Sequence, residues 1–151
     1  MILVEDKKEM KRSKSQRALK LFSVIQFLNG LVFVLFFVIL LLSMQDKSVY
    51  EQISKNKTDV IIGTAELLIN AVILFVSSYI LRRTSKDASL HNSALRITLI
   101  VIAYEIFNFI TSLGVGAPRN FAAMVFTVIM NLIIVYFVLK VEEEYKMSLN
   151  Q

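Results

Sequence analysis

Apolar residues are gathered into four long runs. Leu21–Met44 is 24 residues without a charge, Val60–Leu81 is 22 residues with one acid, Ile97–Val115 is 19 residues with one acid, and Phe121–Leu139 is 19 residues with none. In each run the apolar positions cover every side of a helix rather than one stripe, the pattern of a helix surrounded by apolar matter. A bilayer core about 30 Å thick takes about 20 residues of helix. The four runs therefore predict four transmembrane helices, and together they make up more than half of the 151 residues. A soluble chain of this size has no way to cover four such helices. The expected fold is all-α, a four-helix transmembrane bundle over residues 21–139. A basic tail over residues 1–20 precedes it and a short tail over 140–151 follows.

The charges give the threading. The segments before span one, between spans two and three, and after span four carry thirteen Lys and Arg. The two opposite segments carry four: Lys47, Lys55, Lys57 and Arg119. By the positive-inside rule both termini are expected in the cytoplasm. The first run exceeds the apolar core of a secretory signal and lacks a small-residue cleavage site, so it is expected to stay as a span. The Lys-rich, Cys-free composition suggests a bacterial cytoplasmic (plasma) membrane. Segment 48–57 is expected to form a short surface helix, and Gly114–Pro118 an outer turn ended by Pro118.

Composition removes several classes of function. Apolar residues are 56% and charged residues 19%, against about 45–50% and about 25% in an ordinary soluble domain. That balance excludes a disordered chain and a nucleic-acid module. The basic tail is expected to touch anionic lipid, with no nucleic-acid partner. There is no Cys, so thiolate metal sites and Cys nucleophiles are excluded. The one His, His91, lies between spans two and three, where it is expected to be solvated, as is the Glu142–Glu144 run. No span holds a His, which excludes bis-His haem ligation inside the membrane. No catalytic constellation, metal or cofactor motif is present, and an enzyme is not expected.

The chemistry of interest is the polarity inside the spans. The only charged residues there are Glu66 and Glu105, and no span holds Lys, Arg or His. An acid at mid-bilayer costs on the order of 3 kcal/mol, which something must offset. Each acid lies on a helical row with an amide: Gly63, Glu66, Asn70 and Ser77 in span two, and Thr98, Val101, Glu105, Asn108 and Ser112 in span three. Span four places Asn131 four residues after Thr127, and span one offers Ser23, Gln26, Asn29 and Gly30. At 1.5 Å per residue, Glu66 lies about 9 Å from the outer end of its span, and Asn70, Glu105 and Asn131 about 15 Å. Asn108 lies about 11 Å deep and Asn29 about 23 Å along its longer span. The expectation is a polar belt near the midplane, built from Glu66, Glu105, Asn70, Asn108, Asn29 and Asn131 turned inward. Two carboxylates close together in low dielectric do not both ionise easily and titrate as a pair. Such a pair suits a proton, a cation or a small basic ligand.

The outline of four spans with membrane glutamates resembles the small multidrug transporters, whose key acid lies in the first span, where this chain has none. The small fluoride channels are similar in size but Gly-rich, against four Gly here. Neither resemblance carries residues across. A short echo links Gln26–Asn29 to Glu105–Asn108 and Asn70 to Asn131, the trace of a parallel two-helix duplication. Two functions follow as expectations. One is transport, permeation or binding, as a homo-oligomer. The other is a non-catalytic accessory, assembly or immunity-type subunit of a larger membrane complex.

Overall fold

The structure is a computed structural model and describes residues 13–45, 57–114 and 121–150. It holds four long helices and, among the described residues, no strand. They are α1 (Lys14–Ser43), α2 (Lys57–Thr84), α3 (His91–Gly114) and α4 (Phe121–Leu149), with one 3-10 turn at Ala88–Leu90 ahead of α3. Each is long and apolar enough to cross a membrane. Neighbours along the chain pack against each other, and α4 closes the ring against α1, so the order around the bundle is α1, α2, α3, α4. The expected surface helix at 48–57 and the turn at Gly114–Pro118 fall largely outside the described residues, as does most of the basic tail.

All four helices run past their apolar stretches, α1 and α4 furthest. α1 starts at Lys14, inside the expected tail, because Ser13 caps it. Ser13 Oγ accepts from the Gln16 amide, and Gln16 Oε1 accepts from the Ser13 amide, each at 3.1 Å. This reciprocal pair satisfies two donors that a helix start otherwise leaves open. α4 continues to Leu149, and its Lys146 Nζ donates to Glu142 Oε1 one turn back at 2.6 Å.

The bundle is packed unevenly along its length. One end holds the start of α1, the α2–α3 connection and the end of α4; here it is termed the closed end. An apolar cluster of Leu19, Leu81, Ala94, Ile134, Val138 and Val141 fills it. Toward the other, open end, burial fades. No described residue of α1 beyond Gly30, of α2 before Asn70, of α3 beyond Asn108 or of α4 before Asn131 is buried. An apolar groove of about 350 Å³ runs there between α1 and α2, lined by Leu41, Met44, Val60, Ile61, Thr64, Ala65 and Leu68.

Polarity is inverted relative to a soluble protein. Among the described residues, twelve buried side chains are polar or charged and eight are apolar, while large apolar side chains cover the outside of every helix. Water as the surrounding solvent would penalise that surface heavily; hydrocarbon does not. In hydrocarbon, close packing holds helices together. Gly30 supplies it where α1 meets α2: a Cβ there would sit 2.9 Å from the Phe75 ring.

Candidate functional site

The inward stripe of each helix sets which polar groups meet. On α1 the buried positions are Ser15, Leu19, Ser23, Gln26 and Gly30, with steps of four, four, three and four. At 100° per residue Gln26 and Gly30 lie 40° apart on one face, and Asn29 lies 60° to the other side of Gln26. Asn29 is accordingly exposed on the outside of the bundle. The expectation that Asn29 faces inward is corrected: Gln26, 4% exposed, is the amide that α1 contributes. The buried row that starts at Ser15 and steps four, four and three through Leu19 and Ser23 picks Gln26 out.

On the other helices, Asn70, Asn108 and Asn131 are buried, with 3–4% of their surface exposed. Glu66 and Glu105 are half-buried. Glu105 falls between Val101 and Asn108 on the inward stripe of α3, at steps of four and three. Glu66 lies one turn before Asn70 on α2. Both acids thus sit where burial begins to fade toward the open end.

Contacts fix the relative heights. Gln26 Nε2 donates to Asn131 Oδ1 at 3.2 Å, joining α1 to α4. Ser78 Oγ donates to the Ser23 carbonyl at 2.7 Å, joining α2 to α1. From that contact Gln26 is three residues toward the open end and Asn70 is eight. Across α2 and α3, Asn70 lies 14 residues before Thr84 and Glu105 lies 14 after His91; Glu66 lies 18 before and Asn108 17 after. Each acid therefore stands level, by residue count, with the amide of the adjacent helix. The groups form three tiers: Gln26 with Asn131, Asn70 with Glu105, then Glu66 with Asn108. Instead of one belt they make a column about 14 Å tall. The two acids are about 6 Å apart along its axis.

Hydrogen bonding within the column is incomplete. Asn70 Nδ2 donates to the Glu66 carbonyl at 2.8 Å, and Asn131 Nδ2 to the Thr127 carbonyl at 2.9 Å, each four residues back on its own helix. Gln26 Oε1, Asn108 Nδ2 and Ser77 Oγ are buried without a hydrogen-bond partner. A buried polar atom left unmet costs about 1–3 kcal/mol. The column thus holds an open acceptor at Gln26 and an open amide donor at Asn108, and the Ser77 hydroxyl lies just below its first tier. No group of three or more His, Asp or Glu with metal-holding geometry occurs among the described residues.

The closed end corrects two further expectations. His91 is buried rather than solvated, at 8% exposure. Its Nδ1 donates to the Ala88 carbonyl at 3.0 Å, its Nε2 lies 4.0 Å from Glu142 Oε1, and its ring packs 6.0 Å from that of Tyr145. The Glu142–Glu144 run is likewise not a simple solvated end. Ser15 Oγ donates to Glu144 Oε1 at 3.0 Å, which ties the start of α1 to α4.

Comparison with protein-family models, with characterised proteins and with solved structures found no match for this chain.

Proposed function

We propose that the protein is a small membrane-embedded binding or permeation protein for a proton, a cation or a small basic ligand, with the acid–amide column as its site. Glu66 and Glu105 supply the attraction for positive charge. Gln26, Asn70, Asn108 and Asn131 supply neutral donors and acceptors that replace water around the bound species. The observation that carries this reading is the tiered column with two of its buried polar atoms, Gln26 Oε1 and Asn108 Nδ2, left unmet. A purely structural polar network gains most when every member is satisfied.

The same reading sets the closed end at the cytoplasmic face. Exposed cations stand there on every helix, among them Lys20, Arg82, Arg83, Arg96 and Lys140. Two of them sit over tyrosines one turn deeper, Arg83 over Tyr79 and Lys140 over Tyr136, each 5.8 Å from the ring centre. Tyrosine at the headgroup level with a cation reaching toward anionic lipid is the arrangement of a membrane interface. The open end then faces the exterior, and ligand reaches the column from that side.

The test is flux in proteoliposomes, read with a pH-sensitive dye for protons, with potassium, and with a lipophilic amine. The wild-type chain should move at least one of the three, and the Glu66→Gln, Glu105→Gln double variant should lower that rate by about tenfold or more. Rates equal to those of empty vesicles for all three, or an unaffected double variant, would overturn the proposal. A second reading, an accessory subunit, is favoured by the breadth of uncovered apolar surface: at most 22% of any apolar window is buried within the chain. Co-extraction of one stoichiometric foreign membrane protein in a gentle detergent supports that reading; recovery of this chain alone opposes it.

A further inference from the structure

Asn29 departs from every other amide in the apolar spans. It is exposed, eight residues from Leu21 and fifteen from Met44, well inside the stretch that would occupy hydrocarbon. Asn70 and Asn131 each donate to a backbone carbonyl four residues back. Asn29 makes no side-chain hydrogen bond with any described residue. Thr111 is also exposed, but its hydroxyl donates to the Asn108 carbonyl at 3.0 Å. Hydrocarbon offers no partner to an amide, so Asn29 stands there with a donor and an acceptor unmet.

Its surroundings have a regular pattern. Phe22, Ile25, Asn29, Val32, Phe36 and Ile39 follow one another at steps of three, four, three, four and three. That is a heptad seam on one flank of α1, beside the stripe that faces α2 and α4; its first residue, Phe22, packs against Phe137 of α4. From Asn29 onward every member is exposed. An otherwise apolar seam with one Asn is the pattern that pairs two parallel helices and fixes their register.

We propose that two copies of this chain associate through this seam, with α1 parallel to its counterpart and Asn29 bonded to Asn29 of the second copy. The amide is self-complementary, with donor and acceptor on one group, as a two-fold contact requires. A second copy carries the same group at the same depth and with the same threading. A foreign helix would need a polar group placed at that depth for this purpose. The proposal is separate from the acid–amide column, which meets α1 at Gln26 on the inward stripe.

The absence of native Cys allows a direct test in the full-length chain. Val32→Cys lies on the seam; Leu31→Cys is exposed on the opposite flank of α1. In membranes under mild oxidation, Val32→Cys should form disulfide-linked dimers and Leu31→Cys should not. In the Val32→Cys background, Asn29→Leu should lower the dimer yield about tenfold, in line with an interhelical hydrogen bond in a bilayer, and Asn29→Gln should retain most of it. Photobleaching steps of the labelled Cys-free chain, diluted in lipid, should give two copies per spot. Single copies in the wild type, equal cross-linking at positions 31 and 32, or a dimer unchanged by Asn29→Leu would each refute the seam. The Glu66→Gln, Glu105→Gln variant should dimerise like the wild type, which separates failure of this proposal from failure of the column.

Discussion

The two halves of the bundle are held by different means. At the closed end, Leu19, Leu81, Ala94, Ile134, Val138 and Val141 interlock, and the Ser15–Glu144 bond and the His91–Glu142 contact tie the helix ends together. Toward the open end the same four helices offer each other mainly amides and carboxyls, and the apolar side chains turn outward. The closed half secures the fold by packing. Above it the helices keep the acids and amides of the column, and burial fades. A division between a rigid base and a polar, less crowded upper half is what a site on a small scaffold needs, because the base fixes the geometry that the site uses.

Four substitutions probe that division, beginning with the largest expected effect. Leu81→Ala removes a fully buried side chain from the base and should cost about 2–4 kcal/mol in detergent unfolding. Ile61→Ala, at a position 67% exposed near the open end, should cost less than about 1 kcal/mol. Equal losses at the two positions would erase the contrast. Gln26→Leu breaks the bond to Asn131 and should cost about 0.6 kcal/mol, the average for such bonds between membrane helices, and at most about 1.7 kcal/mol. Pairing it with Asn131→Leu should return much of that stability while leaving flux impaired, since both partners are then apolar. Full flux in the double variant would confine Gln26 and Asn131 to a packing role.

The smallest effect concerns Asp87, outside the spans. Its Oδ1 accepts from the Ser89 hydroxyl at 2.7 Å and from the Ser89 amide at 3.0 Å. The hydroxyl bond, then the amide bond, and to a lesser degree the nearby Arg83 hold its carboxyl below the usual carboxylate range. A lowered folded-state value means that the contribution is present above the unfolded Asp value, about 3.9, and fades as pH falls through the folded value. Asp87→Ala should therefore slightly raise amide exchange at Ala88–His91 at neutral pH, and the difference from wild type should begin to fade as pH falls below about 4 and vanish once it is below the folded value.

Much of the fold was legible in the chain. Four runs of 19 to 24 apolar residues match four observed helices, since the length that spans a bilayer and the apolarity that suits it are both local properties. The helix ends were less so. α1 begins seven residues before Leu21 because a cap at Ser13 and buried contacts at Ser15 and Leu19 extend it, and neither raises the apolarity of the window. The faces were partly legible. On α2, α3 and α4 the spacing identified the buried Asn70, Asn108 and Asn131. On α1 two amides three residues apart competed, and the choice between Gln26 and Asn29 depended on the stripe reaching back to Ser15. His91 was read as solvated because its burial arises from the continuation of α4 to Glu142 and Tyr145, more than fifty residues away.

The hydrogen bonds that side chains make to their own helix bear on how the chain enters a bilayer. The hydroxyls of Ser23, Ser43, Thr64, Thr84 and Thr98 and the amides of Asn70 and Asn131 all donate to a carbonyl three or four residues back on the same helix. A segment carrying such groups arrives in lipid with those donors already satisfied, before any other segment is beside it. The side-chain amides of Gln26 and Asn108 lack that provision. With the hydroxyls of Ser77, unmet, and Ser78, bonded only to the Ser23 carbonyl of α1, they make the first three segments incomplete on their own, and so give those three a reason to wait for company during insertion.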